Sequence, residues 1–186
     1  MVNSTKVVTG KVRFSYVNLF EPKAFDENQV AKYSVTLIIP KTDVGTIQRM
    51  KDAIQAAAEK GKSTKFGGKI PPVLKSTLKD ADKDTNNDGE ILSTLDENLK
   101  NCYVLRVSST TKPGVVDANL NPIIDPTEIY SGCYGRASVN FFAYNSNGNK
   151  GIACGLNNLQ KLADGTPLGG KSRAEDDFAD DDDFLD

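Results

Sequence analysis

The sequence predicts a mainly β domain with one amphipathic helix, and two kinds of pattern predict it. Several short segments alternate apolar and polar residues with a period of two, which is typical of strands with one buried face. Residues 43–60 instead repeat apolar side chains at spacings of three and four, which places them on one side of a helix. With 186 residues, 38% of them hydrophobic, the chain suits one domain with long loops or appended segments.

Two strands are predicted near the N-terminus, over residues 6–18 and 32–39. The polar parity of the first carries Lys11 and Arg13 and is expected to face outward. A loop is expected to start near residue 21, and Pro40 should end the second strand. The other parity of the first strand is expected to face the core: Val8, Val12, Phe14 and Tyr16.

A helix over 43–60 is followed by two loops of opposite charge. Gly61 is placed to end the helix. Residues 60–79 contain six lysines and no acidic residue, with Phe66 near the middle, and are predicted to form a long basic loop. Residues 80–98 are predicted to form an acidic loop.

The C-terminal half predicts further strands over 102–109 and 133–144. An Asn/Ser/Gly turn at 145–149 leads into a return strand from residue 150, which continues towards Leu162 unless a helical turn replaces it. Five or so strands, one helix and long loops favour an OB-fold-type five-stranded barrel with long loop insertions. A β-sandwich is the alternative.

Segment 133–144 has an unusual outer face. One parity is small and apolar, whereas the other carries three aromatic rings and an arginine: Tyr134, Arg136, Phe142 and Tyr144. Unpaired nucleobases stack on such rings while basic side chains hold the phosphates. The alternative is that a loop covers Phe142 and Tyr144 as a small satellite core.

Basic residues of other segments extend this predicted nucleic-acid surface. Any single lysine is better explained as a solvated surface charge. The six lysines of the loop at 60–79, with no acidic residue among them, are stronger evidence for a surface that binds nucleic acid. The predicted interface comprises Lys11, Arg13, Lys32, Lys62, Lys65, Phe66, Lys69, Arg106, Tyr134, Arg136, Phe142, Tyr144 and Lys150.

The net charge of −2 conceals a division along the chain. Residues 174–186 contain eight acidic residues and no basic residue. Residues 1–173 therefore contain 17 acidic and 23 basic residues, a net charge of +6. We predict a domain over 1–163, a linker over 164–173 and a disordered acidic tail over 174–186. The tail could compete for the protein's own basic groove or only aid solubility. Its expected partner-binding residues are Phe178, Asp180, Asp181, Asp182, Asp183 and Phe184.

Other classes of function have weak support. Histidine is absent, and no nucleotide-binding fingerprint occurs, so we expect no enzyme, cofactor or metal. Residues 84–91 match the start of a calcium loop, but Leu95 stands where the bidentate Glu belongs. The three cysteines resemble buried thiols of a reducing compartment, and no signal peptide or membrane span is evident. A cytoplasmic location is therefore expected, in the host if a phage encodes the protein.

Three stretches resemble a family of tailed-phage and prophage proteins. They read KPGVVD at 112–117, IYSGCYGRASVNF at 129–141 and NGNKGIACGL at 147–156. That family, long without a known function, is understood as single-stranded DNA-binding proteins with an OB-fold. The resemblance implies coating of exposed single strands and recruitment of replication or recombination proteins through the tail. Such tails commonly end in Phe, whereas here Leu185 and Asp186 follow Phe184.

We therefore expect a sequence-tolerant single-stranded DNA-binding protein of phage replication or recombination. Cooperative self-association of the protein on the DNA is a further expectation that the sequence leaves open. One alternative is a structural or interaction β-protein, such as a virion component, that does not bind nucleic acid. Another is a calcium-dependent hydrolase or carbohydrate-binding protein.

Overall fold

The computed structural model describes residues 4–24 and 27–168. Two short 3₁₀ turns supplement the regular elements, at Glu97–Leu99 and Pro126–Glu128. The elements in chain order are β1 (Lys6–Val8), β2 (Val12–Lys23), β3 (Lys32–Pro40), α1 (Val44–Gly61), β4 (Lys75–Ser76), β5 (Leu78–Asp80), α2 (Leu92–Leu95), β6 (Cys102–Ser109), β7 (Gly114–Val116), β8 (Tyr134–Ser146) and β9 (Asn149–Ala163).

Five strands close into a ring. Strand β2 pairs with β3, β3 with β6, β6 with β9 in parallel, β9 with β8, and β8 returns to β2. If β2, β3, β6, β8 and β9 are numbered 1 to 5 in chain order, their order around the ring is 1-2-3-5-4-1. This is the closed Greek-key barrel of the OB-fold. The predicted fold class is confirmed, and a β-sandwich of two facing sheets does not describe it.

The barrel core follows from the alternation that the sequence shows. The inward side chains of the five strands are almost completely buried, including Phe14, Leu37, Leu105 and Phe141. Helix α1 packs its stripe of Ile47, Met50, Ala53 and Ala57 into the same core, beside β1 and β8. The helix begins where Asp43 accepts a hydrogen bond from the Thr46 backbone N–H.

Strand β2 departs from its predicted parity at Tyr16. The register with β3 shifts between Ser15 and Asn18, and Tyr16 has φ of 48° and is 76% exposed. The expectation that Tyr16 faces the core is therefore wrong, because a β-bulge turns the side chains that directly follow it to the opposite face. The expectation for Val8 is also wrong: Val8 is 44% exposed, and its neighbour Val7 is buried instead. Leu19, not residue 16 or 18, is the next buried side chain. The strand also continues to Lys23, past the predicted loop start.

The end of the predicted basic loop closes a gap in the barrel. Strands β6 and β9 pair only at Ser108 and Gly155 and then separate. Strand β4 pairs with β9, and β5 pairs with β6. Between them, Thr77 donates its N–H to the Ile152 carbonyl of β9 and its hydroxyl to the Arg106 carbonyl of β6. Residues 75–80 thus complete the wall of the barrel next to Arg106.

Within the described ranges, no helix combines the length and the apolar character needed to cross a membrane.

Candidate nucleic-acid interface

A cationic groove lies on the outer face of β2, β3 and β6. Two adjoining cavities of about 420 and 250 Å³ form it, and both include Lys23, Ser34 and Arg106 in their walls. The outward residues of β3 and β6 that line this groove are polar, so they offer hydrogen-bonding groups and positive charge to solvent. The outer groove, as we call it, is further lined by Tyr16, Asn18, Lys32, Thr36 and Ser108.

Tyr16 is the exposed ring of the outer groove. A bulky residue at positive φ is uncommon, and such backbone outliers concentrate at functional sites. The bulge carries the ring out of the core and places it in the same cavity as Lys23 and Arg106. Sequence reasoning missed this residue. The signal was available, because the apolar parity changes from even at Val12 and Phe14 to odd further along the strand.

Phe142 lies on the outer face of β8, on the far side of β9 from the outer groove. Its ring is 46% exposed, so the alternative of a loop-covered ring does not describe it. Tyr144, two residues further on, is half-buried, and its ring extends over Gly151 towards β4.

Three residues of the predicted interface, Lys11, Arg13 and Tyr134, contact one another where β2 meets β8, away from the outer groove. Arg13 donates hydrogen bonds to the carbonyl oxygens of Gly132 and Thr166, and Nζ of Lys11 lies 5.2 Å from the centroid of the Tyr134 ring. The Arg13 guanidinium lies 5.4 Å from the same centroid. Arg13 therefore holds Thr166 against the barrel, and the Tyr134 ring lies next to Gly165. A sequence pattern cannot reveal these contacts.

Residues 164–168, placed in the predicted linker, form a docked segment. The Tyr130 hydroxyl lies 3.0 Å from Oδ1 of Asp164, and Lys161 makes a 2.7 Å ion pair with the same carboxylate. The Leu168 N–H donates to the carbonyl of Ser131, whose hydroxyl accepts from the N–H of Val17. Ser131 thus holds Leu168, the last residue that the structure describes, and also bonds to the residue that follows Tyr16.

The basic turn after α1 corrects the prediction for Phe66. Its ring is 2% exposed and belongs to the core, because the chain folds back so that the Phe66 N–H donates to the Gly61 carbonyl. It cannot stack on a base from this position. Asn145 fixes the turn by donating to the Lys65 carbonyl. Lys65 therefore lies beside the β8–β9 hairpin, whose strand β9 carries Lys150. Lys62 and Lys69 are exposed in the same turn after α1.

The remaining basic side chains of the predicted interface lie on separate parts of the surface. Lys32 and Arg106 line the outer groove. Arg136 is exposed on β8, where its Nε donates to the carbonyl of Thr9 in the β1–β2 connection. The structure thus brings together Lys32 and Arg106 with Tyr16 and Lys23, two residues that the sequence did not single out.

Lys41 anchors the start of the acidic loop through two ion pairs. Lys41 makes ion pairs of 2.8 Å with Asp80 and 2.7 Å with Asp82. Hydrogen bonds to Asp80 and Asp82 raise the pKa of Lys41, and the bond from Lys41 lowers the pKa of Asp82. In the loop itself, Asn86 accepts hydrogen bonds from the backbone N–H groups of residues 88 and 90.

Two cysteines occupy the barrel interior, where burial raises the pKa of Cys133 and Cys154. Cys102 is only half-buried.

The predicted tail residues Phe178, Asp180, Asp181, Asp182, Asp183 and Phe184 lie outside the described residues, as does residue range 169–173 of the predicted linker.

An OB barrel with a basic, ring-bearing outer groove is an architecture that binds single-stranded nucleic acids. The chain belongs to the family of the single-stranded DNA-binding protein of Enterobacter phage Enc34, whose model matches residues 5–185. The resemblance seen in the sequence is therefore confirmed.

Individual relatives agree with this membership. A protein called p50 from Acyrthosiphon pisum secondary endosymbiont phage 1 is 30% identical over 167 residues, which cover 89% of this chain and 87% of the relative. The solved structure of the bacteriophage Enc34 single-stranded DNA-binding protein in complex with ssDNA has a TM-score of 0.73 at 24% identity, covering 91% of this chain and 96% of that one. The single-stranded DNA-binding protein gp2.5 of bacteriophage T7 has a TM-score of 0.61 at 18% identity, covering 94% and 93%.

Proposed function

We propose that this protein binds single-stranded DNA in the outer groove, with little sequence preference, during phage DNA replication or recombination in the host cytoplasm. The observation that carries the proposal is the exposed ring of Tyr16 in one cavity with Lys23 and Arg106. A ring offers a flat apolar face to any of the four bases, while the two cations attract the phosphates. Family membership supports the same function.

Stacking on Tyr16 selects for unpaired strands. A base in a duplex has both faces covered by its neighbours, so it can reach the ring only after unstacking, which costs several kcal/mol. Arg106 and the lysines contact phosphates of either form and do not discriminate. The ring therefore supplies the preference for single strands, and the cations supply affinity that depends on salt.

The acidic tail is proposed to compete with DNA for the outer groove and to recruit replication proteins. Leu168 is held by Ser131, whose hydroxyl also bonds to Val17, the residue after Tyr16. The 18 residues that follow can span at most about 60 Å when extended. Their carboxylates match the positive charge of the groove, and Phe178 and Phe184 could anchor the tail on a partner.

Fluorescence anisotropy with labelled oligo-dT tests the binding site. Tyr16→Ala should weaken binding roughly 5- to 150-fold, the range for removal of one stacking ring, whereas Tyr16→Phe keeps the ring and should bind normally. Arg106→Ala should also weaken binding and reduce the dependence on salt, by about 0.7 in the log–log slope for each phosphate that is no longer neutralised.

Two surface substitutions away from the groove serve as controls. Ile124→Ala removes an exposed apolar side chain, and Lys100→Ala removes an exposed charge. Both variants should bind as the unmodified protein does. If Tyr16→Ala and Arg106→Ala also bind like the controls, the outer groove is not the DNA site. Equal affinity of the unmodified protein for duplex and single strand would contradict stacking on Tyr16.

A further inference from the structure

Gly155 lies in the middle of β9, between the outer groove and Phe142. In the sheet register, it is opposite Ser108 of β6 on one side and Asn140 of β8 on the other. Its neighbours Cys154 and Leu156 are buried, so position 155 faces outward. Glycine weakens a strand interior, and its presence there requires a reason.

Packing explains the other two glycines of β8 and β9. A Cβ atom at Gly135 would collide with the carbonyl oxygen of Gln160 and the ring of Phe14. At Gly151, it would lie 2.6 Å from the Tyr144 hydroxyl and 2.7 Å from the Lys75 carbonyl oxygen. Neither position can accept a larger residue without movement of the barrel.

Packing does not explain Gly155. A Cβ atom there would lie 3.8 Å from the Asn140 carbonyl oxygen and from Cε1 of Phe142, and 3.9 Å from the Ser108 carbonyl oxygen. These are ordinary van der Waals distances, and the backbone does not adopt a positive φ. The fold itself would accept a side chain. Glycines inside strands mark bulges, tight bends or places where a ligand or another backbone approaches closely. The nearest bulge of β9 lies beyond Gly155, between Leu156 and Asn158, so close approach of a ligand is the explanation that we pursue.

Positions 153 and 155 of β9 form a low floor, because neither has a large side chain. Ala153, the adjacent outward residue of β9, is also small and pairs with Phe142. The exposed Phe142 ring stands on one side of this floor, and Ser108, which lines the outer groove, stands on the other. Gly155 therefore lies between the Phe142 ring and the β6 edge of the outer groove.

We propose that a second nucleobase stacks on Phe142 above Gly155, so that the DNA track crosses β6 and β9 from the outer groove to β8. This inference rests on the proposed function and extends it. Along the barrel wall, Tyr16 on β2 is four strand spacings from Phe142 on β8, or roughly 19 Å at about 4.8 Å each. We therefore expect an oligonucleotide of about 4 nucleotides centred on Tyr16 to occupy the outer groove, and a longer one to extend past its β6 edge to Phe142.

The test compares full-length protein variants on labelled oligo-dT of about 4 and about 12 nucleotides, which bracket much of the range for OB folds. Phe142→Ala removes the ring, and Gly155→Val fills the floor with a side chain that suits a strand. Both should weaken binding of the longer oligonucleotide roughly 5- to 150-fold and leave the shorter one unchanged. Phe142→Tyr keeps a stacking ring and should bind both normally.

Further variants distinguish a damaged fold from a missing stacking surface. Gly155→Ala is a milder change that should fold normally and weaken only the longer oligonucleotide, to a smaller extent. Ile124→Ala is the control for removal of an exposed apolar side chain. A 2-aminopurine placed near one end of the longer oligonucleotide should be quenched by the unmodified protein and by Phe142→Tyr, but not by Phe142→Ala.

The outcomes separate this inference from the proposed function. If Tyr16→Ala weakens both oligonucleotides while Phe142→Ala and Gly155→Val bind the longer one normally, the outer groove stands and the second stacking position is wrong. The exposed ring would then be left for a protein partner. If Tyr16→Ala and Arg106→Ala leave both oligonucleotides unaffected, the proposed function itself fails.

Discussion

The hydroxyl of Thr77 donates a 2.8 Å hydrogen bond to the backbone carbonyl of Arg106. The backbone N–H of Thr77 donates to Ile152 on the neighbouring strand. One residue therefore joins β6 to β9 where their direct pairing ends, and it does so at the residue that supplies a positive charge to the outer groove. Thr77 therefore links the stability of the barrel wall to the position of the proposed DNA site.

Thr77→Val is expected to lower stability and to weaken DNA binding. The substitution keeps the shape of the side chain but removes the donor to the Arg106 carbonyl, which should lower the free energy of unfolding by about 0.5–1.5 kcal/mol. Urea denaturation measures this decrease, and anisotropy with oligo-dT should show a several-fold weaker complex. Thr77→Ser restores the hydroxyl and should recover binding. If Thr77→Val binds DNA normally at full stability, the link is absent.

Phe66→Ala separates a structural ring from a binding ring. Because Phe66 is buried in the core, its removal should lower the free energy of unfolding by about 3–5 kcal/mol. The folded fraction should bind oligo-dT with unchanged affinity. Lys65→Ala, at the exposed neighbouring position, should change stability by less than about 0.5 kcal/mol. A stable Phe66→Ala variant with weak DNA binding would restore the role that the sequence suggested.

The ion pairs of Lys41 predict a pH-dependent contribution to stability. The lowered pKa of Asp82 means that its contribution is present above the ordinary carboxylate value of 3.8 and is lost as the pH falls through the lower, folded-state value. The raised pKa of Lys41 means that its contribution is complete below the ordinary value of 10.5 and is lost only as the pH rises through the folded-state value. Lys41→Met should therefore lower the melting temperature at neutral pH.

Thermal melts of Lys41→Met and the unmodified protein across pH check this window. The difference in melting temperature should be constant from about pH 5 to 9 and should shrink in strong acid. Lys100→Met disrupts the exposed pair with Glu97, whose atoms are 3.7 Å apart, and should have little effect at any pH. A Lys41→Met difference that persists unchanged in strong acid would show that the carboxylates do not cause it.

Deletion of residues 174–186 is expected to tighten DNA binding. It removes eight acidic residues and leaves a domain with a net charge of +6. The gain in affinity should be largest at low salt, because both the competition and the DNA contacts are electrostatic. Replacement of Phe178 and Phe184 by Ala keeps the charge and should leave DNA affinity unchanged while weakening recruitment of a partner. Identical affinity of full-length and truncated protein at low salt would exclude self-competition.

Much of the architecture could be predicted because it depends on local patterns. Period-two alternation identified the inward faces of β3, β6 and β8, and the spacing of Ile47 and Met50 identified α1. The resemblance at 129–141 identified the family, which the family match confirms. The fold class is confirmed as well, down to the ring of five strands. The short strands β4, β5 and β7 were missed because isolated pieces of two or three residues carry no periodic signal.

The sequence by itself determined the mainly β class, the helix and the division of charge between body and tail. It favoured a barrel and an outward Phe142 without excluding a sandwich or a covering loop, and the tertiary structure decided both. Only the tertiary structure decided which rings and cations meet. A bulge moved Tyr16 out of the core, a folded-back turn buried Phe66, and contacts with residues 164–168 occupied Arg13 and Tyr134. Alternation follows from the geometry of one strand, whereas bulges, burial and hydrogen-bond partners depend on residues far away in the chain.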